Sequence, residues 1–381
     1  MKKLTGIAAT VLAAGMAVTL AGCGGCGGCS GCNSKTVNNA LTNSNWFTGT
    51  GFKGIQPFFI VDENHPEYTK EIITYDVTFD NSKAYNKSYS LDYKDGKFTT
   101  GFYATEYDWN ASSVPEKYRA EKTEILYCYK TQLSISVQYK KGDNATEWFN
   151  DSVTTECYFR AAAYSLQPVY SRREVVSTSP KNYTADKLEN AYEKLNCIYE
   201  NYYNYNFTEV TSYCTEEGKE QTEKVFGKLN KRDNTVFDNA SLYIAVRSMK
   251  LSSSFSQYID LFSDVSGGVS TCRVYGSEDG IEEKELSKIS EALADAKLYS
   301  FPVDDEGNPK KNEGIATVAM KLENAGGDFS GAAHTVWYAA IQNANNNTAR
   351  TTMLKMSVPI SYELGTLNYS LNTVESTIWN G

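Results

Sequence analysis

The sequence predicts an all-β, mainly antiparallel fold: a curved sheet, half-barrel or sandwich with one or two short helices. Three observations predict it. Tyr is abundant at 28 residues beside 16 Phe, and rings with β-branched or short polar neighbours suit pleated, half-buried surfaces. Apolar and polar residues alternate with period two in segment after segment from Ile72 onward, the mark of a strand with one buried face. The chain ends on an unbroken alternation of Leu354, Met356, Val358, Ile360, Tyr362 and Leu364, with a Gly365 bend and a return through Leu367, Tyr369 and Leu371.

The first residues set an address. Met1-Lys2-Lys3 is basic, Ile7 to Leu20 is apolar and uncharged, and Leu20-Ala21-Gly22-Cys23 follows. Basic, apolar, then small residues at a cleavage point is the order of an exported leader. The apolar run is shorter than the roughly 18–20 residues of a membrane span. Leu20-Ala21-Gly22-Cys23 resembles the lipobox of bacterial lipoproteins. The resemblance implies a signal peptide over 1–22 and cleavage before Cys23. It also implies a thioether-linked diacylglycerol on that sulfur, further acyl chains such as palmitate, and anchoring on the outer side of the cytoplasmic membrane. More than one acyl chain is needed for a stable anchor. Residues 23–45 are Gly, Ser, Asn and Thr with almost no large apolar group, too little to order themselves, and read as a flexible tether. Residues 46–381 form the β-rich part, with a possible subdivision near 180.

Trp46-Phe47 and Ile55 to Ile60 start the folded part. In Ile72–Phe79, Ile73, Tyr75, Val77 and Phe79 share a face. Tyr89, Leu91 and Tyr93 repeat the pattern, and Asp95-Gly96 predicts a two-residue hairpin turn, where φ > 0 is required, with Phe98 to Tyr107 returning. Ile125–Tyr139 alternates, Lys141-Gly142-Asp143-Asn144 turns, and Val153–Ala161 continues. Leu166 to Val169 reads as a bend, Pro168 marking an edge strand.

Leu188, Tyr192, Leu195 and Tyr199 recur at three and four and predict a helix within Pro180 to Tyr199, with one long strand running on from it as the other reading. Asn201–Tyr213 alternates. Leu242–Met249, Tyr258–Phe262, Val269–Tyr275, Ile315–Leu322 and Thr335–Ile341 read as strands. Ile281–Leu298 predicts a second helix, through Leu286, Ile289 and Leu293, with acids early in it as the helix dipole favours.

Three signatures are similar to an uncharacterised family of exported bacterial β-proteins that resemble the open half-barrels of lipoprotein carriers. They are Tyr158-Phe159-Arg160 leading to Ser165-Leu166-Gln167-Pro168-Val169; Asp238-Asn239-Ala240-Ser241-Leu242-Tyr243-Ile244-Ala245-Val246-Arg247; and Val336-Trp337-Tyr338 with Leu364-Gly365-Thr366-Leu367. The resemblance covers roughly residues 150–375 and implies a curved antiparallel sheet. It brings no known activity and no catalytic residues.

Composition excludes some partners. The formal charge is −9, and losing Lys2 and Lys3 with the leader takes it to −11. An acidic chain repels nucleic acid and anionic lipid surfaces. Of nine cysteines, Cys23, Cys26, Cys29 and Cys32 sit in the Gly/Ser tract. Their repeated spacing is of metal-ligand type, but Cys23 would be blocked by the lipid that the resemblance implies, and the tether gives no shape to a site. Cys128, Cys157, Cys197, Cys214 and Cys272 are an odd set, leaving at least one unpaired within it.

Chemistry is sparse. His65 lies in Asn64-His65-Pro66 and His334 at a strand start, neither in a metalloprotease or triad motif. Asp279-Gly280 and Asp304-Asp305-Glu306-Gly307-Asn308 have the look of calcium loops without the EF-hand spacing. Asp238 and Arg247, nine apart, are candidates to pair across a bend. The sequence points to no catalytic residue, metal or cofactor, and to Cys23 as the lipid-modified site. The expectation is a non-enzymatic, lipid-anchored envelope protein that binds an apolar or glycan ligand on an aromatic-rich sheet. A structural or interaction lipoprotein with no small ligand, or a hydrolase using paired carboxylates, are the alternatives.

Overall fold

A strand with one apolar face must cover that face, and this chain does so by curling one long sheet over its own helix. The computed structural model describes residues 70–82, 90–160, 168–180, 192–206, 208–229, 236–247, 249, 253–264, 268–296, 298–299, 301, 303–310, 315, 317–324, 333–342, 349–359 and 365–376. Cys23, the tether, Trp46-Phe47, Ile55–Ile60, His65, Leu188 and Ile360–Leu364 lie outside the described residues.

The strands are β1 (Lys70–Asp80), β2 (Ser90–Asp108), β3 (Thr123–Lys141), β4 (Asn144–Ala145), β5 (Phe149–Arg160), β6 (Pro168–Pro180), β7 (Tyr192–Tyr203) and β8 (Glu209–Glu216). They continue as β9 (Thr222–Gly227), β10 (Val236–Asp238), β11 (Ser256–Ser263), β12 (Gly268–Ser277), β13 (Thr317–Asn324), β14 (His334–Gln342), β15 (Ala349–Pro359) and β16 (Thr366–Ser376). All belong to one sheet, in the order β10-β11-β12-β13-β14-β15-β16-β1-β2-β3-β5-β6-β7-β8-β9, with β4 beside β3. Neighbours are antiparallel except β10 and β11, which run parallel. The last strand thus pairs with the first described one, Tyr75 opposite Leu371 and Val77 opposite Tyr369. The two ends of the order, β9 and β10, do not pair with each other, so the sheet is not closed.

The concave face carries Ile73, Tyr75 and Val77 of β1, Phe98 and Phe102 of β2, Leu133, Ile135 and Val137 of β3, and Met356, Val358, Leu367 and Tyr369 of the C-terminal hairpin, all buried. Helix α1 (Leu242–Arg247) lies against it with all six residues buried. A 3-10 turn, Asn239–Ser241, leads in, and the Asp238 carboxylate accepts from the Ala240 N–H at 2.7 Å, supplying an acceptor for a helix-start donor. Helix α2 (Glu283–Asp295) buries Ile289, Ser290 and Leu293. It is held by side chains that alternate with those meeting α1. The Trp337 indole N–H donates to the Asp279 carbonyl, in the segment leading into the helix, at 2.9 Å, and Lys355 pairs with Glu285 in its first turn.

Several expectations are corrected. Asp95-Gly96 does not turn a hairpin. β2 runs straight through it with one extra residue, its pairing to β3 stepping from Lys94–Ser136 to Lys97–Ser134. Asp95 takes φ 54°, and a Cβ on Gly96 would stand 2.8 Å from Val77 Cβ; this is a β-bulge, which has the local dihedrals of a turn without reversing the chain. The helix predicted toward Tyr199 is strand β7 from Tyr192 onward; the steps of four, three and four are helical but too few to hold a helix, and pairing with β6 over eleven residues overrides them. Asn201–Tyr213 is not one strand but the end of β7 and most of β8, separated by a turn in which Asn204 Oδ1 accepts from the Thr208 and Glu209 N–H groups. Leu242–Met249 is not a strand but contains α1, because a short helix that is apolar all round has no period to read. Pro168 is not on an edge: β6 lies between β5 and β7, and Pro168 is its first residue, a place where a missing N–H is tolerated. The second helix is where the sequence placed it, and the C-terminal segments pair as two antiparallel strands, the first described to Pro359, short of the predicted Leu364.

Candidate functional site

The rings divide into a concave core and a smaller outer array. The outer array stands on successive strands in one row. Tyr158 of β5 is opposite Tyr170 of β6, and Tyr170 opposite Tyr202 of β7. Ring centroids are 5.5 Å apart for Tyr158–Tyr170 and 4.8 Å for Tyr170–Tyr202. Tyr107 touches Tyr158 and Tyr170, Tyr118 stacks on Tyr202 at 5.1 Å, and Tyr213 meets Tyr202 edge-on. Pairs at these spacings add attraction beyond the area they bury. The loop after β2 roofs one end: Trp109 and Val114 are buried there, and Lys117 and Tyr118 both donate to Thr211 Oγ1 at 2.7 Å.

One register step along the strands, the ring row gives way to charge. Lys130 is opposite Glu156, Glu156 opposite Arg172, and Arg172 opposite Glu200. Opposite charges facing each other across strands support the pairing. Lys130 reaches Glu156 at 2.8 Å. The tyrosine hydroxyls lean to this row, Tyr170 donating to Glu200 at 2.8 Å and Tyr158 to Glu156 at 3.1 Å. Burial, then the neighbouring carboxylates, pushes both phenols far above their ordinary range, so they act as neutral donors. Beyond the row, Tyr205 is 85% exposed and carries the Arg160 guanidinium over its ring at 5.6 Å; Arg160 also donates to Glu124 at 3.0 Å. Tyr170 and Tyr202 are buried under the loop after β2, so the array is a second, smaller core, and the open ring on this face is that of Tyr205. These residues were not singled out from the sequence. A usable signal existed: Leu126-Tyr127-Cys128-Tyr129 is buried on both faces, which means something covers the outside of β3 too.

Two polar clusters are enclosed by the curl. At the line where β10 and β11 meet β6 and β7, Asp238 accepts from Ser171 and Tyr203. Asn201 donates to Ser171 Oγ at 3.0 Å and to Asp264 at 3.1 Å, and Arg173 pairs with Asp264. The second cluster is the Arg247–Glu71 pair, its longer prong 2.9 Å. Asp238 and Arg247 therefore do not pair with each other; α1 lies between them and sends each to a different part of the sheet.

The remaining sequence candidates are accounted for locally. His334 is buried, its Nδ1 3.2 Å from the Tyr243 hydroxyl, and burial pulls its pKa down to about 4. Asp304 Oδ1 accepts from the Glu306 and Asn308 N–H groups at 3.0 and 2.7 Å, and Gly307 has φ +86°; the loop's own amides occupy that carboxylate. Asp279 is paired with Lys321 at 3.1 Å. Among the described residues no three His, Cys, Asp or Glu side chains gather as a metal site would need. Asp151 is buried, bonded to Ser177 Oγ and the Thr178 N–H at 3.0 Å, and burial pushes its pKa up to about 7. No described helix is long and apolar enough to cross a membrane.

Neither a family model nor a curated protein matches the chain. Among solved structures it is similar to the crystal structure of a beta-barrel-like protein of domain of unknown function DUF1849 from Brucella abortus, at 8% identity and a TM-score of 0.42, over 81% of this chain and 97% of the other.

Proposed function

We propose that the chain is a lipid-anchored, non-enzymatic envelope protein that binds a glycan on the outer aromatic face of its sheet. The observation that carries this reading is the exposed Tyr205 ring under the Arg160 guanidinium, which shares a strand face with Glu156 in the charged row of Lys130, Glu156, Arg172 and Glu200. Tyr170 and Tyr202 are buried and serve as the packed support of that face. A sugar has an apolar C–H face and a rim of hydroxyls. Rings take the first, and carboxylates and guanidinium groups bond the second with charge assistance. The apolar-ligand form of the expectation needs an open concave groove, and α1 fills that side with its own six buried residues. The address rests on Leu20-Ala21-Gly22-Cys23: Cys23→Ser should move the protein from the membrane fraction to the soluble one, and an unmodified Cys23 in the mature protein would sink the anchor.

Neutral and amino-sugar oligosaccharides titrated into the mature protein, followed by tyrosine fluorescence, test the ligand. Binding should weaken about tenfold or more in Tyr205→Ala, equivalent to roughly 1.4 kcal/mol, with an unchanged melt because that ring is exposed. No binding at millimolar sugar, or wild-type binding by Tyr205→Ala, would overturn it. The filled concave side favours the second reading, an interaction protein with no small ligand, and that reading gains if no sugar binds.

A further inference from the structure

Two of the scattered cysteines are brought together near the β9 end of the sheet. Cys197 on β7 stands opposite Glu216, and Tyr199 opposite Cys214 on β8. The cysteines are thus diagonal neighbours across one strand pair, with their sulfurs 3.7 Å apart. The other three thiols are placed differently. Cys128 of β3 faces Tyr158 while Cys157 of β5 faces Tyr129, which puts these two on opposite faces. Cys272, on β12, donates to the Arg273 carbonyl. Cys197 is buried and Cys214 partly exposed, so one member of the pair is open to a reagent and the other is sheltered behind it.

We propose that Cys197 and Cys214 are a disulfide-forming pair, oxidised by exchange with an external disulfide. The Cys214 thiolate attacks one sulfur of the donor, a mixed disulfide forms, and the first donor thiolate leaves. Cys197 then gives up its proton, attacks the Cys214 sulfur, and the second donor thiolate leaves. Two protein thiols and one donor disulfide become one protein disulfide and two donor thiols. The order follows from exposure and from the thiolate being the attacking species. Burial pushes the Cys197 thiol up to about 11, which disfavours attack from that side. The sulfurs need only close from van der Waals contact to a bond of about 2.05 Å. The link joins β7 to β8 beside Tyr199, whose ring lies under the Arg173 guanidinium at 5.6 Å. It therefore sits next to the ion pair of Arg173 with Asp264, where the curl meets itself.

The mature chain, fully reduced and then incubated with glutathione disulfide, should yield a peptide linking residues 197 and 214. It should lack the mass of two hydrogens and be restored by reductant. Peptide mapping separates it from the thiols at 26, 29 and 32. Cys197→Ser should trap glutathione on Cys214, while Cys214→Ser should leave Cys197 unreacted over the same time. Oxidation should raise the melting temperature by on the order of 5 °C in the wild type and in neither variant. The proposal is overturned if both thiols stay free to alkylation, if each carries its own glutathione, if Cys214 links to a second chain, or if Cys197 reacts as fast alone as beside Cys214.

Discussion

Arg247, the last residue of α1, holds the carboxylate of Glu71 on β1 with both prongs of its guanidinium, across 176 residues of chain. The two side chains are 8% and 3% exposed. Two charges taken from water at such depth cost more than their attraction returns unless the geometry is two-pronged. The pair ties the helix inside the curl to the first described strand, which itself pairs with the last.

Removing one partner should therefore be far worse than removing both. Glu71→Leu leaves the guanidinium buried without its counter-charge and is expected to cost about 3–5 kcal/mol. Glu71→Leu combined with Arg247→Met should cost well under the sum of the single changes. Urea melts of the four proteins in a double-mutant cycle measure this, and additive losses would show that the pair is not coupled.

Asp151 and His334 pull stability in opposite directions over the same acid range. Burial raises the Asp151 carboxyl from 3.8 to about 7. Its contribution is full below pH 3.8 and is lost as pH rises through about 7. Burial lowers His334 from 6.5 to about 4, so its contribution is present above pH 6.5 and lost as pH falls through about 4. Relative to wild type, Asp151→Asn should lose ground as pH falls from 8 to 4, and His334→Gln should gain ground from 7 to 4. Denaturant midpoints at several pH values read both, and a constant gap to wild type for either variant would refute that assignment.

The C-terminal hairpin should discriminate sharply between its faces. Met356 is fully buried, opposite Tyr369, while Ser370 one step along is half-exposed opposite Lys355. Met356→Ala should cost about 2–5 kcal/mol, and Ser370→Ala within about 0.5. Gly365 carries φ +135°, and a Cβ there would come within 2.7 Å of the Asp80 carbonyl and 2.6 Å of the Phe79 ring. Gly365→Ala should therefore destabilise by at least about 1 kcal/mol, the lower end of strained backbone positions. Equal melts for Met356→Ala and Ser370→Ala would mean the register is not the one described.

How much was legible depended on the length of a pattern. Thr123–Lys141, Leu354–Val358 and Leu367–Leu371 hold period two well enough that a strand fits, and all three lie in strands. Acids at the start and apolar residues at helical spacing marked α2. Leu242–Arg247 was misread because a few apolar residues carry no period of their own, and the stretch ending at Tyr199 because its helical steps are too few to hold a helix. The helix is settled by burial inside the curl, and the strand by its partner.

The chain alone therefore determined the all-β class and the alternation that demands a buried face, since these follow from side-chain spacing within one segment. Only the tertiary structure decided what covers that face and which distant residues meet. Nothing local says that Arg247 seeks Glu71 rather than Asp238, that Cys197 finds Cys214, or that Tyr158, Tyr170 and Tyr202 align. Strand order and register set those contacts, and they are properties of the whole sheet: shifting one strand by a single residue turns each of its side chains to the other face.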